Sequence, residues 1–345
     1  MKNASGDRMQ VALIGAGVIA ASHVAALSGV RDRVTLSTIQ TRRPERAVDL
    51  ASRYDGPAPR LTASLDEITE NPDIRAVIVT TPPNVRIDLI KALAGAGKHI
   101  LLEKPVARTL EDARRVVEIC EAAGVTLGMV FQHRMRDPSQ EARRLIDAGR
   151  LGALGMVEIA APLWRPQSYY DEAGRGTYAR DGGGVLLTNV IHSLDLLLSL
   201  TGPVTSVQAM TATTPLHRME AEDFAVAGLR FASGAVGSLT ASTASFPAQP
   251  ELIRLHFEKA SLRLDRDVLV VDWRDGAQER RATAEADFQT MKVLWHRRVV
   301  EDFLDALDTG RAPLVTGREA LASHQLIDAI ERSSRSGQRV DMADA

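Results

Sequence analysis

The chain has 345 residues, enough for two domains that each bury a core of their own. Its 42 basic and 44 acidic residues leave a net charge of −2, so no polybasic face argues for nucleic acid or an anionic lipid surface. The single cysteine, Cys120, excludes an intramolecular disulfide framework and fits a reducing compartment. Met1–Arg8 is polar, with no apolar run of signal-peptide length, and Val185–Leu200, the most apolar later segment, is too short to span a bilayer. The expectation is a cytoplasmic protein that meets a small molecule, with neither membrane nor nucleic acid as partner.

The chain opens on Val11–Ile14, an apolar run of the length of a buried parallel strand. Val18–Leu27 is small, apolar and proline-free, as a helix packed on a sheet should be. Between them lies Gly15-Ala16-Gly17-Val18-Ile19-Ala20, a G-x-G-x-x-A turn. Gly15 permits the tight turn, Gly17 lets a pyrophosphate approach the backbone, and Ala20 lets helix and strand pack closely. The N–H groups around Val18 and Ile19, at the positive end of the helix dipole, then face the phosphates. Strand-like and helix-like stretches alternate from there: Val34–Ile39, Pro44–Arg53, Ala76–Thr80, Ile87–Ala94, His99–Leu102, Leu110–Ala123 and Thr126–Phe131. Such alternation predicts an α/β fold, a doubly wound parallel sheet over residues 1–131 with helices on both faces.

Three loops at the carboxyl edge of that sheet are candidates for cofactor contact. Gln40-Thr41-Arg42-Arg43 ends the second strand without the acidic residue that usually accepts the ribose hydroxyls of NAD. Thr41, Arg42 and Arg43 suit a 2′-phosphate instead, so NADP is preferred over NAD. Thr80-Thr81-Pro82-Pro83-Asn84 follows the central strand, where Thr81, Pro82 and Asn84 can wall the nicotinamide; Asn84 is equally a cap for the next helix. Glu103-Lys104-Pro105 follows a further strand, and the proline fixes the direction of Lys104. A lysine there can polarise or deprotonate a substrate hydroxyl.

Beyond Pro138–Ala148, read as a linking helix, strands dominate: Met156–Ala160, Val204–Thr211, Asp223–Phe231 and Ala235–Thr243. Ser233-Gly234 and Asp275-Gly276 are hairpin turns, and Leu252–Glu258 alternates apolar and polar side chains. The helix read over Val185–Leu200 aligns Thr188, His192, Asp195 and Ser199 in one polar stripe on an otherwise apolar cylinder. His192 is the candidate for the substrate cleft and Asp195 for a structural bond; Asn189 lies about 100° away and can orient substrate or cofactor. Leu163–Arg180 reads as a long loop rich in aromatics and arginines, with Arg165, Tyr169 and Tyr178 suited to an anionic or hydroxyl-rich ligand. His133 and Arg134 should face the same cleft. His217 and Glu220–Asp223 offer no closed ligand set, so no metal is expected, and the acidic run is read as capping a strand. Phe288–Leu307 and Arg318–Ser333 are amphipathic terminal helices.

With Gly15, Gly17, Ala20, Glu103-Lys104-Pro105, Gly182-Gly183-Gly184, His192 and Asp195 in this order, the chain resembles the Gfo/Idh/MocA oxidoreductases, the family of glucose–fructose oxidoreductase and inositol dehydrogenase. The resemblance implies a Rossmann domain, a second α+β domain over 132–345 with an open, mostly antiparallel sheet, and hydride transfer between NAD or NADP and a sugar, sugar acid or polyol. It gives Lys104 and His192 the places of the catalytic lysine and histidine. Thr188 stands where the family often has an aspartate, which leaves the third catalytic group open. Trp164 through Asp195 is similar to members acting on nucleotide-linked aminouronic acids. The expected assembly is a homodimer or homotetramer. The rival readings are a non-catalytic dinucleotide sensor, a redox-assisted glycosidase and a dihydrodiol dehydrogenase.

Overall fold

A computed structural model describes residues 8–282 and 287–342. The first part alternates β1 (Met9–Ile14), α1 (Ala20–Ser28), β2 (Val34–Gln40), α2 (Val48–Ala51), β3 (Arg60–Thr62), α3 (Asp66–Thr69), β4 (Ile74–Val79), α4 (Arg86–Gly95), β5 (His99–Glu103), α5 (Leu110–Ala122) and β6 (Leu127–Val130). Then come α6 (Asp137–Asp147), β7 (Leu154–Pro162), α7 (Gln167–Tyr170), α8 (Ile191–Thr201), β8 (Val204–Ala212), β9 (Phe224–Phe231) and β10 (Val236–Ser242). β11 (Leu252–Phe257), β12 (Ala260–Asp265), β13 (Val268–Trp273) and β14 (Gln278–Ala282) continue the strands, before α9 (Phe288–Thr309), α10 (Gly317–Ser336) and β15 (Val340–Asp341). Among the described residues no helix is long and apolar enough to cross a membrane.

The chain divides into two compact units. The first holds the described residues of 1–107, 111–132 and 286–320. Its six strands run parallel in the order β3-β2-β1-β4-β5-β6. That order reverses direction between β1 and β4, which opens a crevice at the carboxyl ends of the strands. The strands are the apolar runs the sequence marks, with Leu13, Val77 and Leu102 fully buried. Two expectations needed correction. The helix read over Pro44–Arg53 is a single 3-10 turn, Pro44–Arg46, followed by α2, because Ala47 between them leaves helical geometry (φ −99°, ψ 3°) to bury its methyl. The edge strand β3 was not marked, since Arg60-Leu61-Thr62 holds one apolar residue and therefore no period.

Beyond residue 132 the chain returns to this unit. α9 buries Trp295, His296, Val299 and Phe303, and it packs along α1. A Cβ on Gly128 of β6 would stand 2.7 Å from the Phe303 ring, so the strand accepts α9 closely only because that residue is glycine.

The second unit holds residues 108–110, 133–285 and 321–345 as far as they are described. Its sheet runs β14-β13-β12-β11-β7-β10-β9-β8-β15. Only β7 and β10 pair in parallel, and every other pair is antiparallel. Both expected hairpins are present, β9 to β10 and β13 to β14. In β11, Ile253, Leu255 and Phe257 are buried while Arg254 and His256 are half-exposed, the alternation of a sheet covered on one face.

Candidate active site

The glycine turn of the first unit has the shape a diphosphate requires. Gly15 sits at φ +99°, and a Cβ there would stand 2.8 Å from Thr80 Oγ1 and 3.2 Å from the Thr81 nitrogen. No other residue fits this position. Nothing lies within 4 Å of where a Cβ on Gly17 would be, Val18 is 91% exposed, and no side chain caps α1. The open face at Gly17 and the uncapped helix end are what a bound phosphate would cover. Ala20 is fully buried, at the point where α1 meets the sheet.

The neighbouring loops line the same edge. Thr80 Oγ1 donates to the Ile14 and Gly15 carbonyls, both at 3.1 Å, tying the loop after β4 to the glycine turn. Thr81 is half-buried while Pro82 and Asn84 are exposed. Asn84 does not cap α4, because a 3-10 turn, Pro83–Val85, intervenes and the helix starts at Arg86 without a side-chain cap. After β2, the Thr41 amide donates to the Thr62 carbonyl at 2.9 Å. The side chains of Arg42 and Arg43 are exposed and form no hydrogen bond or ion pair among the described residues.

Lys104 follows β5 directly and is half-buried, with a cis peptide to Pro105. Its backbone N–H donates to Glu103 Oε2 at 3.1 Å. Fully buried Arg86 fastens the same turn, donating to the carbonyls of Glu103 and Pro105 and, at 2.7 and 3.1 Å, to that of Thr81. One guanidinium thereby joins the loop after β4 to the loop after β5. Burial brings Arg86 down to about 10 against the pull of Glu103, so it stays charged at neutral pH.

Glu103 is itself buried, with His23 Nε2 2.8 Å and His296 Nε2 3.8 Å from its Oε1. Burial opposes its charge, but the His23 hydrogen bond and the His296 ring outweigh this and hold it well below the usual carboxylate range. Neither histidine nor Arg86 was marked from sequence. They stand on α1, α4 and α9, far apart in the chain, and only the packing of those helices gathers them.

In the second unit, Leu186–Val190 forms a wide π turn before α8 starts at Ile191. Such turns shift helical phase and recur at functional sites. The polar stripe is therefore divided. Thr188 Oγ1 donates back to the Gly184 carbonyl at 2.6 Å and accepts from Asn189 Nδ2 at 2.7 Å. Asn189 Oδ1 in turn accepts from Arg165 Nη2 at 3.3 Å. His192 is 7% exposed and stacks on His133, with ring centroids 4.8 Å apart. Asp195 takes a bidentate bond from Arg134, at 2.7 and 2.8 Å, on side chains 1% and 13% exposed. That Arg134 fork is thus engaged inside the unit. The guanidiniums of Arg165 and Arg175 lie 5.4 and 5.0 Å from the Tyr169 ring centre, while Tyr178 is 46% exposed. The stretch Leu163–Arg180 is not wholly irregular, since it contains α7.

The last glycine of the triple is explained by Glu222. A Cβ on Gly184 would fall 1.7 Å from the Glu222 carbonyl oxygen, an overlap no rearrangement of a side chain relieves. The Glu222 carboxylate accepts the N–H groups of Gly184 and Leu186, at 3.0 and 3.1 Å, and so caps the turn that leads to His192. The acidic run was read as capping a strand, but Glu222 serves a helix start instead. His217 and Asp223 bond each other at 2.7 Å, both buried.

Burial, with Glu222 close by, raises Glu331 of α10 to about 7. Between the unfolded carboxyl value of about 4.3 and that point, the native state holds a proton the unfolded chain has lost, so stability falls as pH rises through this window. Glu331→Gln removes the loss. Its Tm should exceed the parent's by about 3 °C at pH 8, with the gap closing towards pH 5 in thermal melts.

A parallel sheet in this order, with a glycine turn at its switch point and a lysine at a neighbouring strand end, defines a dinucleotide-binding protein with a second sheet domain. Residues 9–131 match the family model for the oxidoreductase family, NAD-binding Rossmann fold, and residues 139–263 match the GFO/IDH/MocA C-terminal domain. The crystal structure of the WlbA dehydrogenase from Bordetella pertussis in complex with NADH and UDP-GlcNAcA is similar, at 32% identity and a TM-score of 0.84 over 98% of this chain and 100% of that one. Inositol 2-dehydrogenase of Rhizobium meliloti is 26% identical over 96% of this chain and 98% of its own length. The NADP(+) scyllo-inositol 2-dehydrogenase of Bacillus subtilis is 26% identical over 74% of this chain and 68% of its own. The chain belongs to the GFO/IDH/MocA family of NAD-binding oxidoreductases.

Proposed function

We propose that this chain is a dehydrogenase, or a reductase in reverse, of a hydroxyl on a sugar acid, with a nucleotide-linked uronic acid as the favoured substrate. Two observations, one in each unit, support this reading: Lys104 directly follows β5 in the first unit, and in the second unit the guanidiniums of Arg165 and Arg175 both lie close to the Tyr169 ring. Guanidiniums suit a carboxylate or phosphate, and an aromatic face suits a sugar ring. The 32% identity to a dehydrogenase crystallised with NADH and UDP-GlcNAcA supports the same substrate class.

The bound nicotinamide supplies the two-electron acceptor. Gly15, Gly17, Val18, Ile19, Thr81, Pro82, Asn84 and Glu103 line the edge assigned to it. Lys104 Nζ takes the proton of the reacting hydroxyl, or returns it to the alkoxide in the other direction, and His192 shares that work. Asn189 and Thr188, already bonded to each other, orient the substrate with Arg165, Tyr169, Tyr178 and His133. Arg134 supports this set through Asp195.

A spectrophotometric screen with NAD and NADP against UDP-GlcNAcA, uronic acids and inositols tests the reading. Saturable formation of reduced cofactor with UDP-GlcNAcA is the expected result; activity confined to neutral inositols would replace the substrate class.

NADP is the preferred cofactor, on Thr41, Arg42 and Arg43. The double variant Arg42→Ala/Arg43→Ala should raise the KM for NADP by about 10–100-fold and leave that for NAD within about twofold, in initial-rate measurements. A single buried cysteine, Cys120, supports a reducing, cytoplasmic setting. Met156, Val236 and Met210 are exposed on the outer face of the second sheet and support a homodimer or homotetramer assembled there, which light scattering would measure.

A further inference from the structure

His23, Glu103 and His296 are buried together in the first unit, and the mechanism above uses neither histidine. A carboxylate only accepts, so His23 Nε2 carries the hydrogen of its 2.8 Å bond to Glu103 Oε1. Burial lowers the His23 pKa, which leaves the ring neutral and its Nδ1 without a partner. His296 Nδ1 lies 2.7 Å from the Lys292 carbonyl and must donate to it. Its Nε2, which makes no hydrogen bond, is thereby aimed at Glu103 Oε1, 3.8 Å away. The other carboxylate oxygen accepts the Lys104 N–H at 3.1 Å. Arg86 on α4 and Lys292 on α9 are the further charges that act on this group.

The three side chains are the one group of this kind with ligand atoms close enough for a metal ion, all within 4.8 Å among the described residues. The 2.8 Å contact, however, is a hydrogen-bond length. Two ligands held about 2.0–2.1 Å from a tetrahedral zinc ion stand about 3.3 Å apart. The arrangement is that of a buried carboxylate held by a histidine hydrogen bond, with the second ring facing it.

His23 is on the first turn of α1, the helix that begins at the glycine turn, and Glu103 is the last residue of β5. One carboxylate thus connects the helix that receives the nucleotide to the peptide that carries the amine. We propose that His23 and His296 are positioning residues, which act through Glu103 to fix Lys104 relative to the nucleotide turn. The inference rests on the reading of Lys104 as the proton-transfer group. Nothing in it requires either histidine to touch substrate.

The paired variants are chosen by atom position. His296→Asn keeps a donor to the Lys292 carbonyl and removes the group facing Glu103, whereas His296→Gln keeps a polar group in the Nε2 place. His23→Leu removes the Glu103 partner, and His23→Gln restores one. For His296→Asn and His23→Leu we expect kcat to fall about tenfold, with NADH affinity by fluorescence titration within about twofold and partial recovery in the Gln variants. A second readout needs neither cofactor nor substrate. Competitive acetylation of Lys104 across pH, followed by mass spectrometry, should shift its midpoint by about 0.5 or more in the same two variants. His296→Asn is the milder change should His23→Leu fail to fold. A folded His296→Asn protein with the parent's kcat and acetylation midpoint would overturn the proposal. Stoichiometric zinc by elemental analysis, lost in these variants, would overturn it too. Full turnover in Lys104→Met would instead remove the catalytic reading of Lys104, while the acetylation midpoint would still decide the structural link.

Discussion

Lys104→Met is expected to lower kcat by about 10²–10⁴-fold while NADH affinity stays within about twofold. Methionine matches the length of the lysine stem but has no proton to give or take, so the change isolates the chemistry from the packing. The backbone at this position is held by groups other than the amine. Glu103 accepts the Lys104 N–H, and Arg86 grips the carbonyls of Glu103 and Pro105. Loss of the amine therefore leaves the strand end and the cofactor edge in place. Stopped-flow turnover with the substrate identified by screening, beside a fluorescence titration of NADH, separates the two quantities. Unchanged turnover would take Lys104 out of the mechanism, and a large loss of NADH affinity would make it a cofactor ligand rather than an acid–base group.

The second large effect is on stability. Asp195→Ala should cost about 3–5 kcal/mol in urea unfolding, because it leaves the Arg134 guanidinium buried without its bidentate partner. The Arg134→Met/Asp195→Leu pair removes both charges and should recover most of that loss, since no uncompensated ion then remains. His192 is one turn before Asp195 on α8, so the single variant should also weaken turnover in the fraction that remains folded. A cost below about 1 kcal/mol would mean that the guanidinium reaches water when its partner is gone.

The second pair of residues shows how close the sequence came and where it stopped. Asp195 reads as structural from its place on an apolar helix and Arg134 as a substrate ligand from its place after the last strand of the first domain; the fold pairs the two at 2.7 and 2.8 Å. Local pattern contains no information about which of two distant charges will meet. Glu222 is similar: a polar run before a strand suggests a cap, but only the tertiary fold brings its carboxylate to Gly184 and Leu186.

By itself, the sequence determined the parallel sheet, the glycine turn, the Glu103-Lys104-Pro105 strand end and the hairpins of the second sheet. Each depends on periodicity or on backbone geometry fixed within a few residues, and Gly15 at φ +99° is the plainest case. The tertiary structure alone decided that α9 returns to the first unit, that a π turn divides the His192 helix, and that His23, Arg86 and His296 gather at Glu103. Those outcomes follow from burial. A carboxylate taken out of water must find donors, and the helices that supply them are chosen by how apolar faces pack across the chain, not by neighbours in it.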